Sequence, residues 1–230
     1  MTGHPTQPLA EVERENLASR VYQALRQALM AGHFKPNDRL RVRELAARMG
    51  TSETPVREAL MKLVSERALE LKAGHSIRVP HLSLARYMEI RGLRVMLECA
   101  AAEAALEHAD EALLAELEAI QKDLLEARRS GDHARALALN HDFHSTLWRA
   151  SGNDTLVELI ENLWLRTGSI RSHLYPYATP FRQGPHGHEP VLAALRRGDR
   201  LALRAAIEAD LIEGGAPLVR YLETMEKGQG

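Results

Sequence analysis

The chain has a single cysteine among its 230 residues, and only 4% of them are Phe, Trp or Tyr. Cys99 therefore has no intrachain partner, and no disulfide framework is available. There is no run of about 18 or more apolar residues, so no transmembrane helix is expected. The opening stretch, MTGHPTQPLAEVERE, lacks a basic segment followed by an apolar one. No signal peptide is expected, and the expected location is the cytoplasm. The chain also lacks a P-loop, a dinucleotide fingerprint and a nucleophile elbow, which removes the commonest catalytic frameworks. It has no repeat of fixed period. It has little net charge, -1 overall.

What is present is an Ala- and Leu-rich composition, 45% hydrophobic, of a length that suits one large domain or two small ones. The charge is unevenly placed. Residues 1–80 hold 13 Lys/Arg against 9 Asp/Glu, a net of +4, while residues 81–230 hold 17 against 22, a net of -5. The basic excess falls on the first third of the chain.

That third is organised around RELAARMGTSETPVREALMKLVSE, residues 43–66. Leu45, Ala46 and Met49 give a short helix an apolar stripe, and Gly50 can close it. Thr51 and Ser52 are good N-cap residues, and Pro55 suits the first turn of a second helix. Val56, Leu60, Leu63 and Val64 then recur at helical spacing. The other side of that helix's first turn carries Ser52, Glu53, Thr54 and Arg57. A short helix, a turn and a helix with a polar leading end is a shape that enters a DNA major groove. Two ordinary surface helices would show the same pattern, so the flanks matter. An earlier helix over 14–31 carries Leu17, Val21, Leu25 and Leu29 on one face, and Gly32 to Asp38 forms a turn. Residues 69–80, LELKAGHSIRVP, alternate Leu69, Leu71, Ile77 and Val79 around Gly74, which predicts a hairpin. Lys72, His75 and Arg78 decorate it as a phosphate-touching wing requires.

The motif ELAARMGTSETPVREAL, residues 44–60, resembles the signature of GntR-family bacterial transcription regulators at nearly every position. The resemblance implies a winged helix-turn-helix that contacts DNA through Arg43, Ser52, Thr54, Arg57 and the wing's Gly74. The chain departs from the family at Glu53, where arginine is usual. Glutamate cannot donate to guanine O6 and N7; it can accept from a cytosine amino group or point away from a phosphate. The operator half-site is therefore expected to differ from the family's common one, or to be bound more weakly.

From Ser83 onward the periodicity is helical throughout, with candidate helices at 83–108, 110–129, 132–150, 153–176, 188–197, 199–213 and 216–226. Gly131-Asp132, Gly152-Asn153-Asp154 and Gly198-Asp199 are stop-and-cap pairs. Residues 175–190, YPYATPFRQGPHGHEP, break the pattern and read as a loop. Asn140 and His144, four apart, share a helix face; His188 opens a later helix, and Asp210 lies on the last helix but one. Imidazoles and a carboxylate meeting inside a bundle would suit Zn, Ni, Mn or Fe. His141, His173 and His186 are equally available on the residues alone.

RVMLE at 94–98, NHDFHSTLWRASGN at 140–153 and HEPVLAALRRGD at 188–199 resemble the all-helical FCD effector domain of the largest GntR subfamily. That resemblance implies a divalent metal held through one Asp and three His. Those positions fall on Asn140, His144, His188 and Asp210, so two of the four differ in type. The set still offers two imidazoles, a carboxylate and an amide oxygen. Arg94 resembles the family's arginine that pairs with small organic acids, although an i,i+4 surface ion pair with Glu98 would also account for it. Arg166 and Arg171 are further candidates.

The expected protein is mainly α: a winged helix-turn-helix of three helices and a small β wing, then a bundle of six to seven helices. The expected divisions are a disordered tail at 1–10, the DNA-binding domain at 11–80, a linker at 81–83 and the effector-binding and dimerisation domain at 84–228. The expected function is a ligand-responsive transcription regulator, most often a repressor, binding a near-palindromic operator as a homodimer and sensing a small organic acid. A metal-dependent helical enzyme, with two His and one carboxylate, and a helical protein-interaction scaffold are the alternatives.

Overall fold

The computed structural model describes residues 17–74, 76–174 and 188–228. The tail at 1–10, the wing's His75, His186 and most of the Pro-rich loop lie outside the described residues.

The N-terminal unit contains α1 (Leu17–Met30), β1 (Arg39–Leu40), α2 (Val42–Arg48), α3 (Glu53–Ser65), β2 (Glu70–Lys72) and β3 (Ser76–Arg78). α1 buries Val21, Tyr22, Leu25 and Leu29. Leu17, expected on that face, is instead 47% exposed because it stands at the helix's open first turn; Tyr22 fills the stripe. α3 buries Val56, Ala59, Leu60 and Leu63 against α1 and α2, while Val64 packs only at the edge of the core. β2 and β3 form the expected antiparallel hairpin, with Gly74 at a φ of +76° in its turn. That left-handed conformation is one a side chain would strain. The sequence reading missed β1, which pairs with β3 to make a three-stranded sheet in the order β1-β3-β2. It follows directly on the expected turn and is two residues long, too short to show a period. Leu71, expected inside, is 45% exposed, because β2 is an edge strand covered on one side only.

After Pro80 to Ser83, seven helices follow among the described residues: α4 (Leu84–Ala105), α5 (Glu111–Ser130), α6 (His133–Arg149), α7 (Asp154–Arg171), α8 (His188–Arg197), α9 (Arg200–Gly214) and α10 (Ala216–Lys227). Ser83, Asp110, Asp132, Asn153 and Asp199 each accept a backbone N–H at a helix start, which is why those boundaries were legible. The first bundle helix stops at Ala105, three residues before the expected end, and the largest difference is in α7, expected to run to 176. The fourth helix of the bundle ends at Arg171, and Ser172 to Leu174 form an i→i+3 turn. Ser172 there abuts Gly32 at the end of α1, so the chain turns aside.

α7 belongs to both units. Leu165 packs into the N-terminal core with Val56, Leu60 and Leu63. Three residues on, a Cβ on Gly168 would lie 2.4 Å from the Leu29 carbonyl oxygen, so the two backbones meet where only glycine fits. Arg26 of α1 binds Glu161 at 2.7 Å, and the Asn162 amide donates to the Glu66 carbonyl.

Candidate functional site

The leading end of α3 is bare. Ser52, Glu53, Thr54 and Arg57 are exposed, and so is Arg43 on the first turn of α2. The underside of α3 is fixed, with Val56, Leu60 and Leu63 all 0% exposed. Ser52 takes the N-cap position without spending its hydroxyl on a cap. Glu53 has a partner that spacing alone did not settle: its carboxylate lies 3.6 Å from Arg57. In the wing, Lys72 pairs with Glu70, and Arg78 donates to the Asn37 carbonyl.

The second site lies inside the bundle. His144 on α6, His188 on α8 and Asp210 on α9 bring ligand atoms within 4.8 Å of one another. His144 Nε2 is 3.1 Å from Asp210 Oδ2, and His188 Nε2 is 3.8 Å from the same oxygen. Ligands at ordinary metal–nitrogen distances of about 2.1 Å stand about 3.0–3.4 Å apart; the His144–Asp210 pair meets that spacing, and His188 at 3.8 Å would have to draw in by about half an ångström to share one small cation. The outer contacts also fit. His188 Nδ1 meets Gln121 Oε1 at 2.8 Å. An amide oxygen only accepts, so Nδ1 carries the hydrogen and Nε2 turns its lone pair toward Asp210. His144 Nδ1 faces Glu98 Oε2 at 3.4 Å, the carboxylate-on-imidazole arrangement that orients metal ligands. Burial pushes the His144 imidazole down, but the carboxylates of Asp210 and Glu98 on its two nitrogens outweigh it and hold its pKa above the ordinary value. Asn140 lines the adjoining cavity with His144 and Asp210.

That cavity, about 160 Å³, is also lined by Arg94, Arg128, Arg171 and Trp164. Arg94 and Arg171 both lie over the Trp164 ring, at 4.0 and 4.2 Å from its centroid. The two sequence readings of Arg94 coexist. It does pair with Glu98, at 2.8 Å, but the pair is buried rather than on the surface, and Arg94 still reaches the cavity. Glu98 is the residue that sequence reasoning undervalued. It is 3% exposed and joins Arg94, the Trp164 indole N–H at 2.9 Å and His144. Burial raises its carboxyl pKa, but Arg94 and His144 bring it below the ordinary range. Gln121 was missed too; a polar side chain on the buried face between Leu117 and Leu124 was the available signal. His141 and His173 stand apart from this cluster: His141 packs edge-on against Trp148 and Trp164, and His173 stacks on Tyr221. Arg171 reaches the cavity, whereas Arg166 lines a different cleft.

Residues 17–79 match the family "Bacterial regulatory proteins, gntR family", and residues 89–212 match the FCD domain. The chain belongs to the GntR family of bacterial regulatory proteins. It is 33% identical over 196 residues to the HTH-type transcriptional regulator McbR of Escherichia coli, covering 84% of this chain and 89% of that one. The solved structure of E. coli McbR/YncC superposes with a TM-score of 0.85 at 31% identity, covering 90% of this chain and 99% of the other. A probable D-xylose utilization operon transcriptional repressor of Paenarthrobacter nicotinovorans is 28% identical, with 81% of each chain covered. The protein is a DNA-binding transcription regulator with an effector domain, and not an enzyme. No helix among the described residues is long and apolar enough to cross a membrane.

Proposed function

We propose that this regulator is a cytoplasmic repressor that binds a near-palindromic operator as a homodimer and releases it in response to a small organic acid. Residues 11–80 serve as the DNA-binding domain, 81–83 as the linker and 84–228 as the effector-binding and dimerisation domain. The observation that carries the DNA half is the exposed leading end of α3 on its fully buried underside. Arg43, Ser52, Glu53, Thr54, Arg57 and Gly74 are the proposed contacts. A dimer doubles the neutralised phosphates, which suits a domain of modest net charge.

The effector half rests on the cavity beside His144. Its volume is close to the roughly 150 Å³ that holds a benzene-sized ligand. Arg94 supplies a planar cation for a carboxylate. His144, His188, Asp210 and the amide oxygen of Asn140 are the proposed holders of a divalent metal (Zn, Ni, Mn or Fe). Bound there, the ion would act as a Lewis acid for carboxylate or hydroxyl oxygens. α7 carries Trp164 and Arg171 on the cavity and Leu165 in the N-terminal core, so a ligand that prefers one placement of α7 shifts operator affinity.

A fragment of the protein's own promoter region tests the DNA half. Arg57→Ala is expected to abolish the specific band shift while the dimer survives on a sizing column. An unchanged shift at moderate salt would count against the assignment. Untagged protein purified without chelator is expected to carry stoichiometric metal, which His144→Ala with His188→Ala removes. Metal-free wild type in elemental analysis sinks that part of the proposal.

A further inference from the structure

A second cationic cleft lies away from the His144 cavity, at the junction of the two units. It measures about 360 Å³ and is lined by Arg67 just past α3, by Pro80, His81 and Leu82 of the linker, by Arg86 on α4 and by Arg166 on α7. Three guanidinium groups from three segments thus face one space. Arg86 has a partner in Glu89. Arg67 and Arg166 make no ion pair with any described residue, and Glu70, which also lines the cleft, is engaged by Lys72. Burial lowers the Arg166 pKa, and the charges of Arg86 and Arg67 lower it further, so the cluster is held against its own repulsion. Arg67 also has a φ of +60°, a left-handed conformation that is uncommon for a non-glycine residue. Two arginines without an ion-pair partner among the described residues, and backbone strain at one hinge, are features that a bound anion would offset.

We propose that Arg67, Arg86 and Arg166 bind the phosphate group of a small molecule, and so tie the DNA-binding unit to the effector domain. After Glu89 is counted against Arg86, two positive charges remain, which matches a phosphate monoester of about −1.5 to −2 at neutral pH. Guanidinium forks suit its oxygens. DNA phosphates are the poorer fit. Arg67 lies past the trailing end of the 13-residue α3, about 20 Å from the end that leads into the groove.

The test is thermal unfolding of the full chain at constant ionic strength, with chloride exchanged for inorganic phosphate or glycerol 3-phosphate. Wild type is expected to rise by about 3–6 °C at ten times Kd. A rise with both probes assigns the phosphate group itself; a rise with the ester alone assigns a phosphorylated metabolite. Arg166→Gln and Arg67→Gly are expected to lose the response, while exposed Arg129→Gln keeps it. Without phosphate, both variants are expected to be at least as stable as wild type, since one relieves repulsion and the other strain. Operator binding in phosphate-free buffer is expected to be unchanged by Arg166→Gln. No rise in wild type, or equal rises in all four proteins, overturns the proposal. So does an Arg166→Gln protein that is destabilised yet still responds, or one that loses operator binding as Arg57→Ala does.

Discussion

Two ion pairs in this protein share the same four-residue spacing and have opposite fates. Glu53 and Arg57 lie on the bare end of α3 at 3.6 Å, with side chains 52% and 65% exposed. Arg94 and Glu98 lie inside the effector domain at 2.8 Å, with side chains 11% and 3% exposed. On an isolated helix the first would be the better pair, because glutamate precedes the cation. In the fold the ranking reverses. Water screens the first pair to about 0.3–0.5 kcal/mol and leaves both groups free to change partners. The second pair has little water to fall back on; Arg94 also lines the cavity, and Glu98 also holds Trp164 and His144, which line it. One spacing thus marks a contact that can be given up to DNA and another that cannot be given up without damage.

The largest expected effect comes from breaking the buried pair. Glu98→Ala leaves Arg94 and His144 facing an uncompensated site, and is expected to cost about 3–5 kcal/mol in chemical denaturation. Glu98→Gln keeps an acceptor for the Trp164 indole and should fall between Ala and wild type. A loss under about 1 kcal/mol for the alanine variant would erase the contrast between the two pairs.

That contrast also measures what the sequence disclosed. The α3 end was legible because its determinants are local: a glycine stop, a cap, a proline and a helical stripe within residues 50–64. Five of the bundle's seven described helix starts were legible for the same reason, since each carries its own capping side chain. Asn140 and His144 could be placed on one face from spacing alone, but their meeting with His188 and Asp210 came from family resemblance. Glu98 was visible only as a neighbour of Arg94. Its contacts with Trp164 and His144 span 66 and 46 positions, and no local period encodes them. The double role of α7 was hidden because a helix covered on both faces shows no single stripe; Leu165 reads like any other apolar residue there.

α7 joins the regions that hold the two pairs, so the next effect is on their coupling. Leu165→Ala removes a side chain from the N-terminal core and is expected to cost about 2–5 kcal/mol. If α7 is the joint, unfolding should split into two steps, with the winged unit melting first; a single step shifted as a whole would show instead that the units unfold together. A milder route to the same joint is pH. Burial raises the Glu161 carboxyl, but hydrogen bonds and charge from Arg149 and Arg26 bring it below its ordinary 4.5. A depressed carboxyl stabilises the fold above the unfolded-state pKa, and that contribution fades as pH falls through the folded one. Between about pH 5 and pH 3 the wild type should therefore lose stability faster than Glu161→Gln. Parallel curves would remove Glu161 from the joint.

The smallest expected effect on stability comes from the exposed pair, and it carries the most information about DNA. Glu53→Gln should change unfolding free energy by no more than about 0.5 kcal/mol, because the pair it breaks is solvated. Operator binding should respond more strongly. The substitution removes a negative charge from the proposed groove-facing end and frees Arg57 from the one ion pair it makes among the described residues. If Arg57 then gains a phosphate, the slope of log affinity against log salt steepens by about 0.9 per protomer. If it gains a base edge, affinity rises with the slope unchanged, and discrimination between half-sites sharpens by about 1–3 kcal/mol. Should neither slope nor discrimination move, Glu53 does not restrain Arg57 on DNA, and the exposed pair is a bystander rather than a reserve for recognition.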